Sequence, residues 1–123
     1  MILAIDTSSA ISAIALVHGG RVLKEVLRPA GRDFDVAAEV ALLVPDPDTL
    51  ESVLVALGPG SFTGLRQGLS FGLGLALGLG APLRGIGSLD LVAARATVPV
   101  VAVIEAGRGR LYFQTPDGRR GVA

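Results

Sequence analysis

The sequence has 123 residues, half of them hydrophobic, and its eleven basic and eleven acidic side chains give a formal net charge of zero. This length and this hydrophobic content predict a folded domain with a buried core and exclude a disordered chain. The neutral charge, the few aromatic residues, the single histidine and the absence of cysteine argue against direct nucleic-acid binding, disulfides, thiol nucleophiles and zinc sites.

The first third of the chain predicts an antiparallel meander. Residues 2–5 and 11–17 are apolar runs, and residues 21–27 alternate between apolar and polar side chains, so each segment is expected to form a strand. The turns between these strands are expected at Asp6–Ser9 and at His18–Gly20.

Helices and buried strands alternate in the next part of the chain. Apolar residues recur at helical spacing from Phe34 to Leu42, before the proline-rich segment 45–48 ends the helix. Residues 53–57 predict a strand buried on both faces, and Ser61 is expected to cap a long helix that reaches about Leu79.

The remaining elements continue this alternation. Residues 82–86 predict another buried strand, Leu89–Ala96 a helix, and residues 100–104 and 110–114 two more strands. The fold class is therefore α/β, with a mixed sheet in which an antiparallel three-strand meander is followed by βαβ crossovers.

Two segments are candidates for a phosphate or nucleotide site. One is the turn after the first strand, and the other is the glycine-rich loop that opens the long helix, where free backbone amides favour anions. A capped turn and a tight strand-to-helix connection explain the same residues without a ligand. The candidate residues are Asp6, Thr7, Ser8, Ser9, Gly58, Gly60, Ser61, Thr63 and Gly64.

Small residues recur at every fourth position from Gly60 to Gly80. Glycine inside a helix costs about 0.5–1 kcal/mol relative to alanine, so close packing against another helix, in this chain or in another subunit, is the expected compensation. The same uncharged segment, 67–83, is too rich in glycine and too short to favour a membrane span. The predicted subunit interface consists of Phe34, Ala38, Leu42, Gly64, Leu65, Gly68, Leu69, Gly72 and Ala76.

Three segments of the chain resemble the TsaB/YeaZ family of the actin-like ATPase superfamily. They read ILAIDTSS, VALGPGSFTGLRQGLSFGLGLALGLGAPLRGIGSLDLVA and VIEAGRGRLYF, in that order. The resemblance implies a ribonuclease H-like lobe over residues 1–98, followed by the beginning of a second, incomplete lobe over residues 99–123.

The resemblance also implies a function in tRNA modification. Members of the family are scaffold proteins that bind the catalytic relative TsaD and the small ATPase TsaE, which together form threonylcarbamoyladenosine next to the anticodon. The expected protein is cytoplasmic, forms a homodimer in isolation, contacts tRNA only through the complex and has no membrane segment. No cofactor is expected to bind tightly, and binding of ATP or ADP is expected to be weak.

The family resemblance bears on catalysis at two positions. The catalytic relative carries the metal-binding pattern HxxxH, and laying this pattern on the chain without gaps places the histidines at Ser88 and Val92. A hydroxyl and an isopropyl group cannot replace two imidazole ligands, so the chain is expected to be non-catalytic and metal-free. The alternative is an ATPase or phosphotransferase that uses the Asp6 turn and the glycine-rich loop; a peptidase has no catalytic set of residues here.

Overall fold

The computed structural model describes residues 1–31 and 33–123, and these residues form two β-sheets and three α-helices. The strands are Ile2–Asp6 (β1), Ile11–His18 (β2), Arg21–Pro29 (β3), Ser52–Ala56 (β4), Leu83–Ile86 (β5), Ala102–Gly107 (β6), Arg110–Gln114 (β7) and Arg120–Val122 (β8). The helices are Val36–Leu43 (α1), Phe62–Leu79 (α2) and Ser88–Ala93 (α3), with a single 3-10 turn at Pro47–Thr49.

The larger sheet has five strands in the order β3-β2-β1-β4-β5. The β1–β2 and β2–β3 pairs are antiparallel, whereas β4 pairs in parallel with both β1 and β5. The predicted mixed sheet, with a meander followed by crossovers, is confirmed. The smaller sheet is an antiparallel set in the order β6-β7-β8, and it lies within the segment expected to begin a second lobe.

The main core lies between one face of the larger sheet and the helices α1 and α2. Leu3 and Ile14 of the antiparallel strands and Val53 and Val55 of β4 are each at most 1% exposed. Alternation along β1 and β2 places one set of side chains toward the helices, while both faces of β4 are largely buried, as its continuous apolar run predicts.

The structure corrects four details of the predicted elements. Strand β5 is half exposed rather than buried, because it lies at the edge of the sheet. Helix α3 ends at Ala93 instead of Ala96, and β6 begins at Ala102 instead of Val100. The short strand β8, which pairs with β7 after the turn that follows Gln114, was not predicted.

The glycines on the inner face of α2 pack against the sheet of the same chain. A Cβ atom at Gly64 would overlap the carbonyl oxygen of Thr7, and one at Gly72 would stand 2.6 Å from Cγ1 of Val55. Gly60 and Gly68 approach Ser8 and Thr7 just as closely. The prediction that this stripe packs against another helix was therefore wrong, because its partners are the β1–β2 turn and β4.

We expect the substitution Gly72→Leu to destabilise the fold by about 3 kcal/mol or more, because the added side chain would be forced into the β4 layer. Chemical denaturation followed by circular dichroism measures this change. The matched control is Gly74→Ala on the outer face of α2, where no atom lies within 4 Å of the added Cβ. This control should gain about 0.5–1 kcal/mol from helix propensity, and equal stability of the two variants would contradict the packing described.

Candidate functional site

The turn between β1 and β2 is closed by its own side chains. Oδ1 of Asp6 accepts hydrogen bonds from the backbone amide of Ser8 at 3.0 Å and from the Ser8 hydroxyl at 2.5 Å. The Thr7 hydroxyl donates to the carbonyl oxygen of Gly64 at 2.5 Å. These bonds satisfy the local polar groups, as in the capped-turn interpretation of this segment.

The glycine-rich loop is fastened in the same way. The Ser61 side chain caps α2 by accepting from the amide of Gly64 at 3.2 Å, and the Ser61 amide donates to the carbonyl oxygen of Ser8 at 2.8 Å. At the other end of the loop, the buried Ser88 hydroxyl accepts from the amide of Gly58 at 3.1 Å. We refer to the contact between residues 6–9 and residues 60–68 as the seam.

The seam separates two clefts. The first has a volume of about 710 Å³ and lies between the two sheets, and the predicted residues that line it are Asp6, Ser8, Ser9, Gly60 and Ser61. The second has a volume of about 830 Å³ and lies beside α2, where the predicted lining residues are Thr7, Ser61, Thr63 and Gly64. Gly58 lines neither cleft. The structure thus divides the predicted phosphate site into two groups that share only Ser61.

The first cleft receives its other wall from the smaller sheet. Glu105 of β6 and Tyr112 of β7 line it, and so does Arg95, which follows α3. The predictions from sequence did not include these residues, because the position of the β6–β7 hairpin across from the Asp6 turn depends on tertiary packing and not on a local motif.

A polar network connects α3 to the smaller sheet. Nε2 of Gln114 donates to Oδ1 of Asp90 at 2.8 Å, and Nε of Arg120 donates to Oε1 of Gln114 at 2.5 Å. Nη2 of Arg120 also forms an ion pair with Oδ2 of Asp90 at 3.4 Å. The network fixes the smaller sheet relative to α3, and it therefore contributes to the width of the first cleft.

The residues predicted for the subunit interface fall into two groups. Leu42 and Leu69 are 78% and 41% exposed, Ala38 is exposed and Leu65 is half-buried. Four others are buried within the chain itself, and these are Phe34, Gly68, Gly72 and Ala76. Gly64 is half-buried against Thr7. As the chain is folded, the four buried residues cannot contact another subunit, and including them in the interface was wrong.

The outer face of α2 carries a different set of small residues. Ser70, Gly74 and Gly78 are exposed and stand four residues apart, and an added Cβ at either glycine meets no atom within 4 Å. A column of aliphatic side chains lies next to them, with Leu73 46% and Leu77 73% exposed. The sequence contained a signal for this column, because Gly74 and Gly78 also lower the helix propensity of α2. The prediction followed the longer Gly60–Gly80 stripe instead, and that stripe lies on the inner face.

The two positions at which the HxxxH pattern was laid on the sequence, Ser88 and Val92, both line the first cleft. Ser88 is 1% exposed and bonded to Gly58, and Val92 lines the first cleft. Within residues 1–31 and 33–123, no three His, Cys, Asp or Glu side chains are grouped so that they could hold a metal ion. No helix in the same residues has the length and hydropathy of a membrane span.

The chain is similar to proteins of tRNA modification. A family model described as TsaD: tRNA N6-adenosine threonylcarbamoyltransferase matches residues 33–120. The tRNA threonylcarbamoyladenosine biosynthesis protein TsaB of Bacillus subtilis (strain 168) is 34% identical, over 90% of this chain and 52% of that protein. TsaB of Escherichia coli (strain K12) is also 34% identical, over 91% of this chain and 53% of that protein.

A solved structure agrees with these matches. The structure titled YeaZ from Pseudomonas aeruginosa superposes with a TM-score of 0.77 at 26% sequence identity, covering 99% of this chain and 65% of that one. The predicted fold class is confirmed by this likeness. The chain spans about half the length of the curated relatives that it matches.

We expect the substitution Asp90→Ala to loosen the smaller sheet, because both Gln114 and Arg120 lose their carboxylate partner. The network is partly exposed, so its loss should cost about 1 kcal/mol and speed amide hydrogen exchange in β7 and β8 about fivefold. Exchange in β1 and β4 should stay unchanged. Glu25→Ala on β3 is the control, and equal acceleration in both variants would show that the network does not hold the sheet.

Proposed function

The chain belongs to the TsaB/YeaZ family, and on that premise we propose that it is a non-catalytic scaffold partner of a TsaD-type subunit. In this role it takes part in the formation of threonylcarbamoyladenosine next to the anticodon of tRNA. The names of the Bacillus subtilis and Escherichia coli relatives support the modification. The exposed surface of this chain supports the scaffold role.

The observation that carries the proposal is the outer face of α2. Leu69, Leu73 and Leu77 form a column in which each side chain is at least 41% exposed. Exposed aliphatic surface costs about 25 cal/mol per Å², and a contiguous apolar patch of this kind is typical of a protein interface. On α1, which contacts α2, Leu42 is 78% exposed.

The small residues beside this column favour a helix as the docking element. Ser70, Gly74 and Gly78 leave the α2 backbone open along one line, so the backbone of a second helix can approach it closely. No charged residue occurs between Gln67 and Leu83, and the matching face of the partner should therefore be apolar. We propose that this partner helix belongs to the TsaD-type subunit and, in its absence, to a second copy of the chain.

The arrangement of polar groups supports a non-catalytic role. Hydroxyls of the predicted phosphate site, such as those of Thr7 and Ser61, are engaged in bonds within the seam. Ser88 stands where the sequence pattern places a metal ligand of the catalytic relative. Its hydroxyl accepts a hydrogen bond from the amide of Gly58. The zero net charge supports contact with tRNA through the partners, with a TsaE-type ATPase joining the complex.

The first cleft limits nucleotide binding to a weak interaction, because two carboxylates and one guanidinium line it. The first cleft brings Asp6 and Ser9 opposite Glu105 and Tyr112 of the smaller sheet. We propose that ATP or ADP binds there weakly and without turnover, because a wide and open cleft leaves phosphate contacts screened by water and supplies no closed set of donors for a transition state.

Co-purification with the cognate TsaD-type protein tests the scaffold role. Wild-type chain should form a stable complex, and Gly74→Leu should weaken it at least about tenfold while the variant stays folded, because the leucine blocks the approach of the partner helix. Gly74→Ala, which adds only a methyl group, should bind nearly as well as wild type. Unchanged affinity of the Gly74→Leu protein would exclude the outer face of α2 as the docking surface.

A phosphate-release assay separates the scaffold from the ATPase alternative. We expect purified chain, alone and with magnesium, to release phosphate from ATP no faster than buffer does. Asp6→Ala is the matched control, since Asp6 lines the first cleft and belongs to the turn on which the ATPase alternative depends. Sustained hydrolysis that disappears in the Asp6→Ala protein would identify the chain as an enzyme.

A further inference from the structure

A third cavity lies on the face of the larger sheet that is turned away from α1 and α2. Its volume is about 200 Å³. Ala4, Ala13 and Ala15 line it, and they alternate along β1 and β2 with the side chains of the main core. Ala4 stands directly opposite Ala15 in the β1–β2 pair. Because an alanine side chain is a single methyl group, these residues form a low floor between larger neighbours.

The walls of this cavity are aliphatic. Leu54 of β4 is the neighbour of Ala4 across the parallel β1–β4 pair, and Ile86 of β5 and Leu91 of α3 also line the cavity. All three wall residues are half-buried, so an apolar group in the cavity would remove more of their surface from water. The volume is below the range of about 300–1,000 Å³ that holds drug-sized ligands, and it therefore suits a molecule with one apolar side chain.

Charged groups of both signs line the same cavity. Asp6 and Glu25 contribute carboxylates from the sheet, and Arg95, which follows α3, contributes a guanidinium. No nitrogen of Arg95 lies within 4.0 Å of a carboxylate oxygen in the part of the chain that the structure describes. The opposite charges are thus separated by a space that the described side chains do not bridge.

Asp6 has one carboxylate oxygen available for a ligand. Its Oδ1 atom accepts both hydrogen bonds from Ser8, and its Oδ2 atom accepts none from the described residues. Asp6 and Arg95 line the first cleft as well as the third cavity, so the two spaces adjoin at these side chains. A small molecule at this place can contact the aliphatic walls with one end and both charges with the other.

We propose that the third cavity binds an apolar α-amino acid. The carboxylate of the ligand pairs with the guanidinium of Arg95, its ammonium group donates to Oδ2 of Asp6, and its side chain lies on the alanine floor. Both polar contacts are charge-assisted and therefore stronger than contacts between neutral groups. Glu25 adds negative potential at the ammonium end.

The charge pattern selects a zwitterion over an ion of either sign. A plain carboxylate is repelled by Asp6 and Glu25, and a plain amine is repelled by Arg95, whereas an amino acid meets an opposite charge at each end. The proposal goes beyond the scaffold role and does not depend on it, because no residue of this cavity belongs to the outer face of α2.

Titration with L-leucine, followed by amide NMR at constant ionic strength, tests the proposal. We expect saturable shifts at Ala4, Ala15 and Leu91, with an affinity in the millimolar range. Arg95→Gln should weaken binding at least about tenfold, because the partner of the ligand carboxylate is lost. Arg84→Gln is the matched control: Arg84 is exposed, neighbours Leu54 in the β4–β5 pair and does not line the cavity, so its loss should leave the affinity unchanged.

A second variant tests the position of the ligand side chain. The substitution Ala15→Leu places a larger group on the cavity floor, and it should abolish saturable binding while the amide spectrum stays that of a folded protein. Glycine, which keeps both charges and lacks the apolar group, should bind at least about tenfold more weakly than leucine.

Two fragments of the ligand separate the zwitterion from its parts. Isoamylamine lacks the carboxylate and 4-methylpentanoate lacks the ammonium group, and each should bind at least about tenfold more weakly than leucine. Equal affinity of either fragment would overturn the proposal, and so would shifts that do not saturate by roughly 50 mM or equal losses in Arg95→Gln and Arg84→Gln. Gly74→Leu should retain leucine binding, so a failure of the scaffold role and a failure of this site remain distinguishable.

Discussion

The structure depends on the close approach of α2 to the first strand turn. Gly60, Gly64 and Gly68 allow the helix backbone to reach Ser8 and Thr7 at a separation that no side chain would permit. The Thr7 hydroxyl and the Ser61 amide then bond across the contact. The cost of several glycines in one helix, about 0.5–1 kcal/mol each, is offset by the burial of Val53 and Val55 beneath it. This contact sets the position of α2 on the sheet.

The inner face of α2 packs in the seam. The two sides of the helix therefore have different structural roles. The inner side packs on the β1–β2 turn and on β4, and the seam that it forms lies between the two clefts. The outer side presents Leu69, Leu73 and Leu77 beside an open line of small residues, and this is the surface proposed for a partner helix. The chain thus combines a close internal contact with an exposed apolar helix face, and the proposed scaffold role rests on this combination.

Sequence patterns predicted most of the fold and less of the candidate site. The apolar runs of β1, β2 and β4 are local signals, and so is the Ser61 cap, and the structure has all of these elements. The edge position of β5 and the pairing of β8 follow from tertiary contacts that no local pattern encodes. The packing partner of the glycine stripe was predicted wrongly, because a repeat of four residues is equally compatible with a sheet and with a second helix as the partner. The two partners are distinguished only by the folded structure, in which Thr7 lies against Gly64.

The division between the inner and outer faces of α2 can be measured directly, since the chain has no cysteine and single thiols can be introduced without background. The rate of thiol labelling at Leu73→Cys and at Ser9→Cys, with and without the cognate TsaD-type protein, is the decisive quantity. The account predicts that the partner slows labelling at position 73 at least about tenfold and leaves position 9 unchanged. Undiminished labelling at position 73 in a saturated complex would contradict it.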